Sequence, residues 1–234
     1  MVSCAIVVIV FLAIVLPGVF DLKHSKRAYV ISSPVERVVF NSKGTVNLDI
    51  SPSHDGRVHI RRSSSISRDS NLIEKRRVSG KTLTLKSSCT GSRLGVLRRC
   101  DLHYHLQVPK KVALSIRVHF GIARVNGIQG RLDFKSDAGD LVGSGCSKLA
   151  FFSLAFGRVE YRDTCLPTLV KVRVKAGDID LSVPAGRYAV RAESRRLRDV
   201  KRPFENIIED PGARNRLDAE IAWAGTIRIR GTSR

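Results

Sequence analysis

Four glycines recur along the second half of this sequence at nearly constant intervals. Gly121, Gly139, Gly157 and Gly177 are 18, 18 and 20 residues apart, and each lies between two runs of alternating apolar residues. A period near 20 with two-residue alternation inside it is typical of stacked β-strands and excludes a helical repeat. Each unit is therefore predicted to be a strand, a glycine corner and a second strand.

The positions −7, −5, −3, +2 and +4 from each glycine are nearly all apolar, whereas the residues between them are largely charged. We expect the first set to face a core and the second to face solvent. The predicted inward residues are Leu114, Ile116, Val118, Ala123 and Val125; Leu132, Phe134, Ser136, Leu141 and Gly143; Ala150, Phe152, Leu154, Val159 and Tyr161; and Val170, Val172, Val174, Ile179 and Leu181. The predicted outward residues include Arg117, Lys135, Lys171, Arg173, Asp178 and Asp180.

The repeat weakens towards the end of the chain. A fifth unit has Arg195 in place of the glycine, and a final unit around Gly225 has charged residues at two inward offsets, Asp218 and Glu220. Terminal repeats are expected to be atypical because one of their sides meets solvent. The other inward positions of these two units are Tyr188, Val190, Ala192, Leu197 and Asp199, then Ala222, Ile227 and Ile229. Residues 201–218 are predicted to be an excursion with one short helical turn.

Residues 22–109 have a different texture. Short alternating runs are separated by turn signals such as His54-Asp55-Gly56, and no helix is indicated. We expect either the first rungs of the stack or a sheet that caps it, and periodicity does not separate the two. The predicted strands are Val35 to Phe40, Thr45 to Ile50, Arg57 to Ile60, Lys81 to Leu85 and Leu102 to Val108.

The first 21 residues form a separate segment. Val2 to Phe20 carries no charge, and 19 helical residues span about 28 Å, close to the thickness of a bilayer core. This predicts a single-pass membrane anchor, the alternative being an uncleaved signal. Cys4 does not end a lipobox-like stretch, so lipid attachment there is not expected. The domains are thus residues 1–21 as anchor, 22–109 as strand region, and 110–234 as the repeat.

Two signals disagree about the orientation of this anchor. The positive-inside rule would place the β body in the cytoplasm, because basic residues from Lys23 to Arg27 follow the apolar segment. The cysteines favour the outside: Cys89 and Cys100 bracket a turn-like segment, and Cys146 and Cys165 fall at neighbouring offsets of adjacent units. Two disulfides suit an oxidising compartment, and the alternative is four unrelated small apolar residues. We expect an extracytoplasmic body.

The phrases QVPKKVALSIRV, AGDIDLSVPAGRYAVRAES and AGTIRIRG, with RVVFNSKGTVNLDI and KTLTLKS upstream, resemble the putative-adhesin family of bacterial envelope proteins. The resemblance covers almost the whole chain after the anchor. It implies a membrane-anchored, extracytoplasmic β-solenoid and no established activity, since the glycine phrases are structural. The sequence departs from the family pattern at Arg195 and in its net charge of +20.

That charge is the main indication of a partner. Basic clusters lie at Arg57 to Arg62, Lys75 to Arg77, Arg98-Arg99, Lys110-Lys111 and Arg191 to Arg202. A basic surface attracts anionic envelope polymers or lipid headgroups, and an envelope protein is a further candidate partner. Aromatic residues are only 6% of the chain, which argues against nucleic acid. The alternative is a solvated basic surface without a specific partner.

No constellation of catalytic residues emerges from the spacing. Asp140 and Asp178 share an offset, but Arg158 separates them, and Asp178 with Asp180 is typical of a solvated strand edge. His103 and His105 could supply half a metal site, with no further pair to complete it. We therefore predict no catalytic, cofactor-binding or metal site. The expected function is non-catalytic binding or scaffolding; a polysaccharide-active β-helix enzyme and a cytoplasmic-facing membrane regulator are the alternatives.

Overall fold

The computed structural model describes residues 22–68, 70–91, 100–194 and 204–232, and this part of the chain is all β. The predicted anchor, residues 1–21, lies outside it. No helix of the described residues is long and apolar enough to cross a membrane. The strands are β1 (Leu22–Ile31), β2 (Arg37–Pro52), β3 (Val58–Ser67), β4 (Ser70–Ser79), β5 (Thr82–Gly91), β6 (Cys100–Val108), β7 (Ala113–Ile128), β8 (Leu132–Gly145), β9 (Leu149–Phe156), β10 (Val159–Asp163), β11 (Leu169–Ala176), β12 (Ile179–Pro184), β13 (Gly186–Ser194), β14 (Ile207–Glu209), β15 (Arg216–Ala224) and β16 (Ile227–Thr232).

The glycine units stack in parallel and in register. Gly121 lies opposite Gly139 on the neighbouring strand, and the residues on both sides of the two glycines pair in the same alignment. The long strands β7 and β8 run through the corner, whereas later units are divided there into β9 and β10, then β11 and β12. The first halves of the units form one face of the protein and the second halves form the other.

The core lies between these two faces. All the side chains predicted to point inward in the four units are buried, including the hydroxyl-bearing Ser136. Gly143, the one glycine in the predicted set, is half-buried. The alternating charged positions are exposed or half-buried, as at Arg117 and Asp178. The two-residue period therefore determined the inward face correctly, because one side of each strand is covered and the other is wet.

The glycine corner tolerates no side chain once units are stacked on it. Gly139 has φ +149°, a conformation that L residues rarely adopt. A Cβ built at Gly139 would fall well under 3.0 Å from the carbonyl oxygen of Gly121 on the preceding unit. Stacking and backbone conformation both require glycine here.

The N-terminal region contains both rungs and a cap. Strand β2 pairs in parallel with β7 and continues the stack, with Gly44 at its corner. Strands β5 and β6 add in parallel to its two halves. The outer strands β1, β3 and β4 instead pair antiparallel, and β1 and β4 were not predicted. Between β3 and β4, the buried Arg62 donates to Glu74 at 3.3 Å, and Tyr104 on β6 donates to the same carboxylate at 2.9 Å.

The C-terminal order differs from the sequence prediction. Strand β15 lies between β11 and β13, so the last unit in the chain stacks directly on the fourth. Its register shifts between Val174 and Ala176, which inserts an extra residue near Trp223. The inward residues are therefore Leu217, Ala219 and Ile221, and the inward offsets predicted for Asp218, Glu220 and Ala222 were wrong.

The excursion is also shorter than predicted. Strand β15 already begins at Arg216, and the described part of the segment, residues 204–218, contains the short strand β14 and no helical turn. Arg195, Leu197 and Asp199 of the fifth unit lie outside the described residues.

Both predicted cysteine pairs are disulfides. Cys89 is bonded to Cys100 across the segment that follows β5, and the two Cα atoms are 6.4 Å apart. Cys146 is bonded to Cys165 on the next unit, with the Cα atoms 4.8 Å apart. The second bond links adjacent rungs, as their neighbouring offsets indicated.

Candidate functional site

The acidic residues considered for catalysis hold the stack together instead. Asp140 accepts a hydrogen bond from the backbone N–H of Arg158 at 2.9 Å, and Asp178 accepts one from Thr226 at 3.0 Å. Asp180 binds the guanidinium groups of two arginines on β16. Each carboxylate thus satisfies a group on the neighbouring rung.

The histidine pair lies on the outward side of β6. His103 contacts the carboxylate of Asp49 at 2.6 Å, on the adjacent strand β2. His105 faces the same way. Among the described residues, no group of three or more His, Cys, Asp or Glu side chains is placed to hold a metal ion.

A different set of residues forms a continuous row across the other face. Lys75 lies directly opposite Lys86, and the row continues through Asn41 to Arg117. It then passes from Arg117 to Lys135, Ser153 and Arg173 on successive strands. We call this row the basic ladder, and its members are Lys75, Lys86, Asn41, Arg117, Lys135, Ser153 and Arg173. Six strand spacings of about 4.8 Å make it roughly 29 Å long.

Most of the ladder cations have no carboxylate partner in the described part of the chain. Among the residues that the structure describes, no ion pair involves Lys75, Lys86, Arg117 or Lys135. Like charges directly opposite each other on paired strands are destabilising, and this occurs twice, at Lys75 with Lys86 and at Arg117 with Lys135. An anion bound from outside would relieve that repulsion.

Within the described ranges, carboxylates of the protein neutralise the far end of the ladder. Arg173 donates to Glu220 at 3.1 Å, and Lys171 in the next row lies 3.4 Å from Asp218. The Arg173 and Glu220 side chains are 61% and 51% exposed, so this pair contributes little to stability and can exchange for another anion.

A groove of about 490 Å³ runs beside the middle of the ladder. It is lined by small polar side chains, an aromatic ring and cations, namely Asn41, Ser115, Arg117, Asp133, Lys135, Phe151, Ser153, Lys171 and Arg173 among others. Asp133 is the acidic residue in this lining, and Arg131 binds it through Nε at 2.8 Å. The guanidinium of Arg131 also lies over the ring of Phe151, 4.7 Å from its centroid. The groove is therefore electropositive.

The basic clusters of the sequence are divided between the two faces. Lys75 belongs to the ladder, whereas Arg61 lies outward on β3 in the opposite face and Arg62 points inward and is buried. Arg98, Arg99 and residues 195–202 lie outside the described residues. Sequence reasoning missed the ladder because its members come from seven strands. The shared offset −4 of Arg117, Lys135 and Arg173 was the available signal.

One buried carboxyl group lies away from both surfaces. Asp163, beside the Cys146–Cys165 disulfide, is fully buried, and one of its oxygens has no hydrogen-bond partner in the described residues. Burial raises the pKa of Asp163 to about 7. Because it is fully buried, we assign it to the interior rather than to a site.

No protein-family model matches this sequence, and no curated protein matches it. Several solved structures are similar to it, and three of them illustrate the range. A putative cell adhesion protein from Clostridium sporogenes ATCC 15579 is 16% identical, with a TM-score of 0.48 over 91% of this chain and 100% of that one. A putative adhesin from Bacteroides fragilis NCTC 9343 is 12% identical, with a TM-score of 0.32 over 88% and 97%. A putative lipid binding protein from Parabacteroides distasonis ATCC 8503 is 11% identical, with a TM-score of 0.24 over 89% and 95%. These names describe those proteins.

Proposed function

We propose that this chain is a non-catalytic binding protein of the bacterial cell envelope, adhesin-like in type, in which a β-solenoid presents the basic ladder to an anionic polymer. The observation that carries the proposal is the ladder itself. It places like charges opposite each other on paired strands, without carboxylate partners for Lys75, Lys86, Arg117 and Lys135 among the described residues. Its five cations are one or two strand spacings apart, about 4.8 or 9.6 Å, and such a row suits a linear polyanion lying across the strands.

The chemistry of the groove favours binding over turnover. Hydrolysis of a polysaccharide calls for a pair of carboxyl groups flanking the bond. The groove offers Asp133, which is held by Arg131. The described lining of this groove therefore lacks the pair of carboxyl groups that the alternative, a polysaccharide-active enzyme, would need.

The location that we propose is the outer side of the cell membrane, with residues 1–21 as a single-pass anchor. The two disulfides support an oxidising compartment, against the alternative of a cytoplasmic-facing regulator. A membrane-impermeant thiol reagent, applied to intact cells with and without reductant, tests this. Labelling of Cys89, Cys100, Cys146 and Cys165 only after reduction is expected. Labelling that needs lysis and no reductant would contradict it.

Binding of the full chain in detergent to heparin, a linear sulfated polymer, tests the ladder. The triple variant K86Q/R117Q/K135Q should bind more than tenfold more weakly than the wild type. The matched control K26Q/R61Q/R162Q removes the same charge from exposed positions of the opposite face and should change the affinity less than threefold. Equal losses in the two variants would mean that net charge, and not the ladder, holds the polymer. Vesicles of anionic lipid provide the second arm: tighter binding to vesicles than to heparin would favour headgroups.

A further inference from the structure

The ladder is interrupted by a small residue between two long cations. Ser153 is paired with Lys135 on one side and with Arg173 on the other. The strands that carry the two cations are about 10 Å apart, twice the strand spacing. Because serine is short, the surface has a pit there, with a hydroxyl at its floor and a cation at each end.

The side wall of this pit is apolar. Phe151 lies two residues before Ser153 on β9 and points to the same side of the sheet. Its neighbours in the same row are Asp133 and Lys171. Arg131 stacks on the ring at 4.7 Å and is itself held by Asp133 at 2.8 Å. A half-buried aromatic ring is therefore fixed in position within a polar, cationic groove.

We propose that the pit over Ser153 holds one sugar ring of an acidic polysaccharide. This inference rests on the proposed polyanion-binding function and names the class of polymer. The apolar C–H side of the ring packs on Phe151, a ring hydroxyl bonds to the Ser153 hydroxyl, and the acidic substituent lies between Lys135 and Arg173. The groove volume of about 490 Å³ falls within the range of small-ligand sites. A sugar-free polyanion has no apolar C–H surface to pack against the Phe151 ring.

The arrangement occurs a second time along the ladder. Asn41 is paired with Lys86 on one side and Arg117 on the other. It is again a short hydrogen-bonding side chain between two cations, three strands away from Ser153. Two such positions about 14 Å apart are consistent with a polymer that runs along the stack and contacts it with more than one sugar.

Two single variants test the pit without altering its charge. F151A removes the apolar wall, and S153L fills the pit; both positions are on the outer surface, and neither belongs to the core. The matched control is F120A, because Phe120 is a 51% exposed aromatic residue outside the groove. The probes are heparin oligosaccharides and inorganic polyphosphate of equal total charge, each titrated into the full chain in detergent by isothermal calorimetry.

We expect F151A and S153L each to weaken heparin binding by about tenfold, the size of one lost aromatic or steric contact. Polyphosphate binding should change less than twofold in both variants, and F120A should affect neither probe. If F151A and S153L leave heparin binding unchanged, or polyphosphate binds the wild type as tightly as heparin, the sugar site is wrong. The ladder would then still stand, since only K86Q/R117Q/K135Q tests it.

Discussion

Alanine substitutions along the glycine corner separate the two reasons for glycine there. Gly44 and Gly139 have similar backbone conformations, with φ +138° and +149°. A Cβ at Gly44 would meet nothing within 4 Å, whereas one at Gly139 would run into the Gly121 carbonyl. Conformational strain alone should therefore lower the unfolding free energy of G44A, by about 1–3 kcal/mol. The clash between rungs should lower that of G139A by about 1–3 kcal/mol more.

A third variant isolates the contact alone. Gly143 does not have a positive φ, yet its Cβ would fall well under 3.0 Å from the Val125 carbonyl. The loss in G139A should thus approximate the sum of the losses in G44A and G143A. Thermal unfolding followed by far-UV circular dichroism measures the stability of all three variants. Each additional kcal/mol of destabilisation in G139A should lower its Tm by about 2–4 °C. If G139A were no less stable than G44A, the in-register stacking of glycines would be refuted.

Three other perturbations act on the interior and the cap. Burial raises the pKa of Asp163 from 3.8 to about 7, so the protonated carboxyl is fully compatible with folding below pH 3.8, and stability falls as the pH rises from 3.8 to about 7. D163N should add on the order of 4 kcal/mol to the unfolding free energy at pH 8 and nothing at pH 3.5. Urea titration at both pH values measures this difference. Replacing Cys146 and Cys165 by serine should cost roughly 3 kcal/mol, and reductant should then destabilise the double variant less than the wild type. E74Q leaves the buried guanidinium of Arg62 without its carboxylate and should cost roughly 3 kcal/mol; an unchanged urea midpoint would show that this pair does not stabilise the cap.

The sequence predicts well those features that depend on one strand and its neighbour. The inward residues of the four units, such as Phe134 and Val172, follow from alternation around a glycine. The pairing of Cys146 with Cys165 follows from their offsets in adjacent units. Both are local consequences of a two-residue period and a constant stacking direction.

Features that depend on distant pairing were not predictable in this way. Strand β15 enters the stack before β13, although it comes later in the chain, and its extra residue near Trp223 moves the inward set by one position. Strand β1 mixes charged residues on both of its sides, so it lacks a clear alternation. The ladder joins Lys75 on β4 and Lys86 on β5 to Arg117 of the repeat, and only the register of the sheet brings them together.

The dependence of heparin affinity on salt tests the central claim most directly. Each cation that contacts a polyanion releases counterions, so the logarithm of the binding constant falls linearly with the logarithm of the salt concentration. K86Q/R117Q/K135Q should reduce that slope by about 2 to 3, at roughly 0.7–0.9 per lost contact, whereas K26Q/R61Q/R162Q should leave the slope within about 0.5 of the wild-type value. The same slope in all three proteins would contradict the ladder as the binding surface.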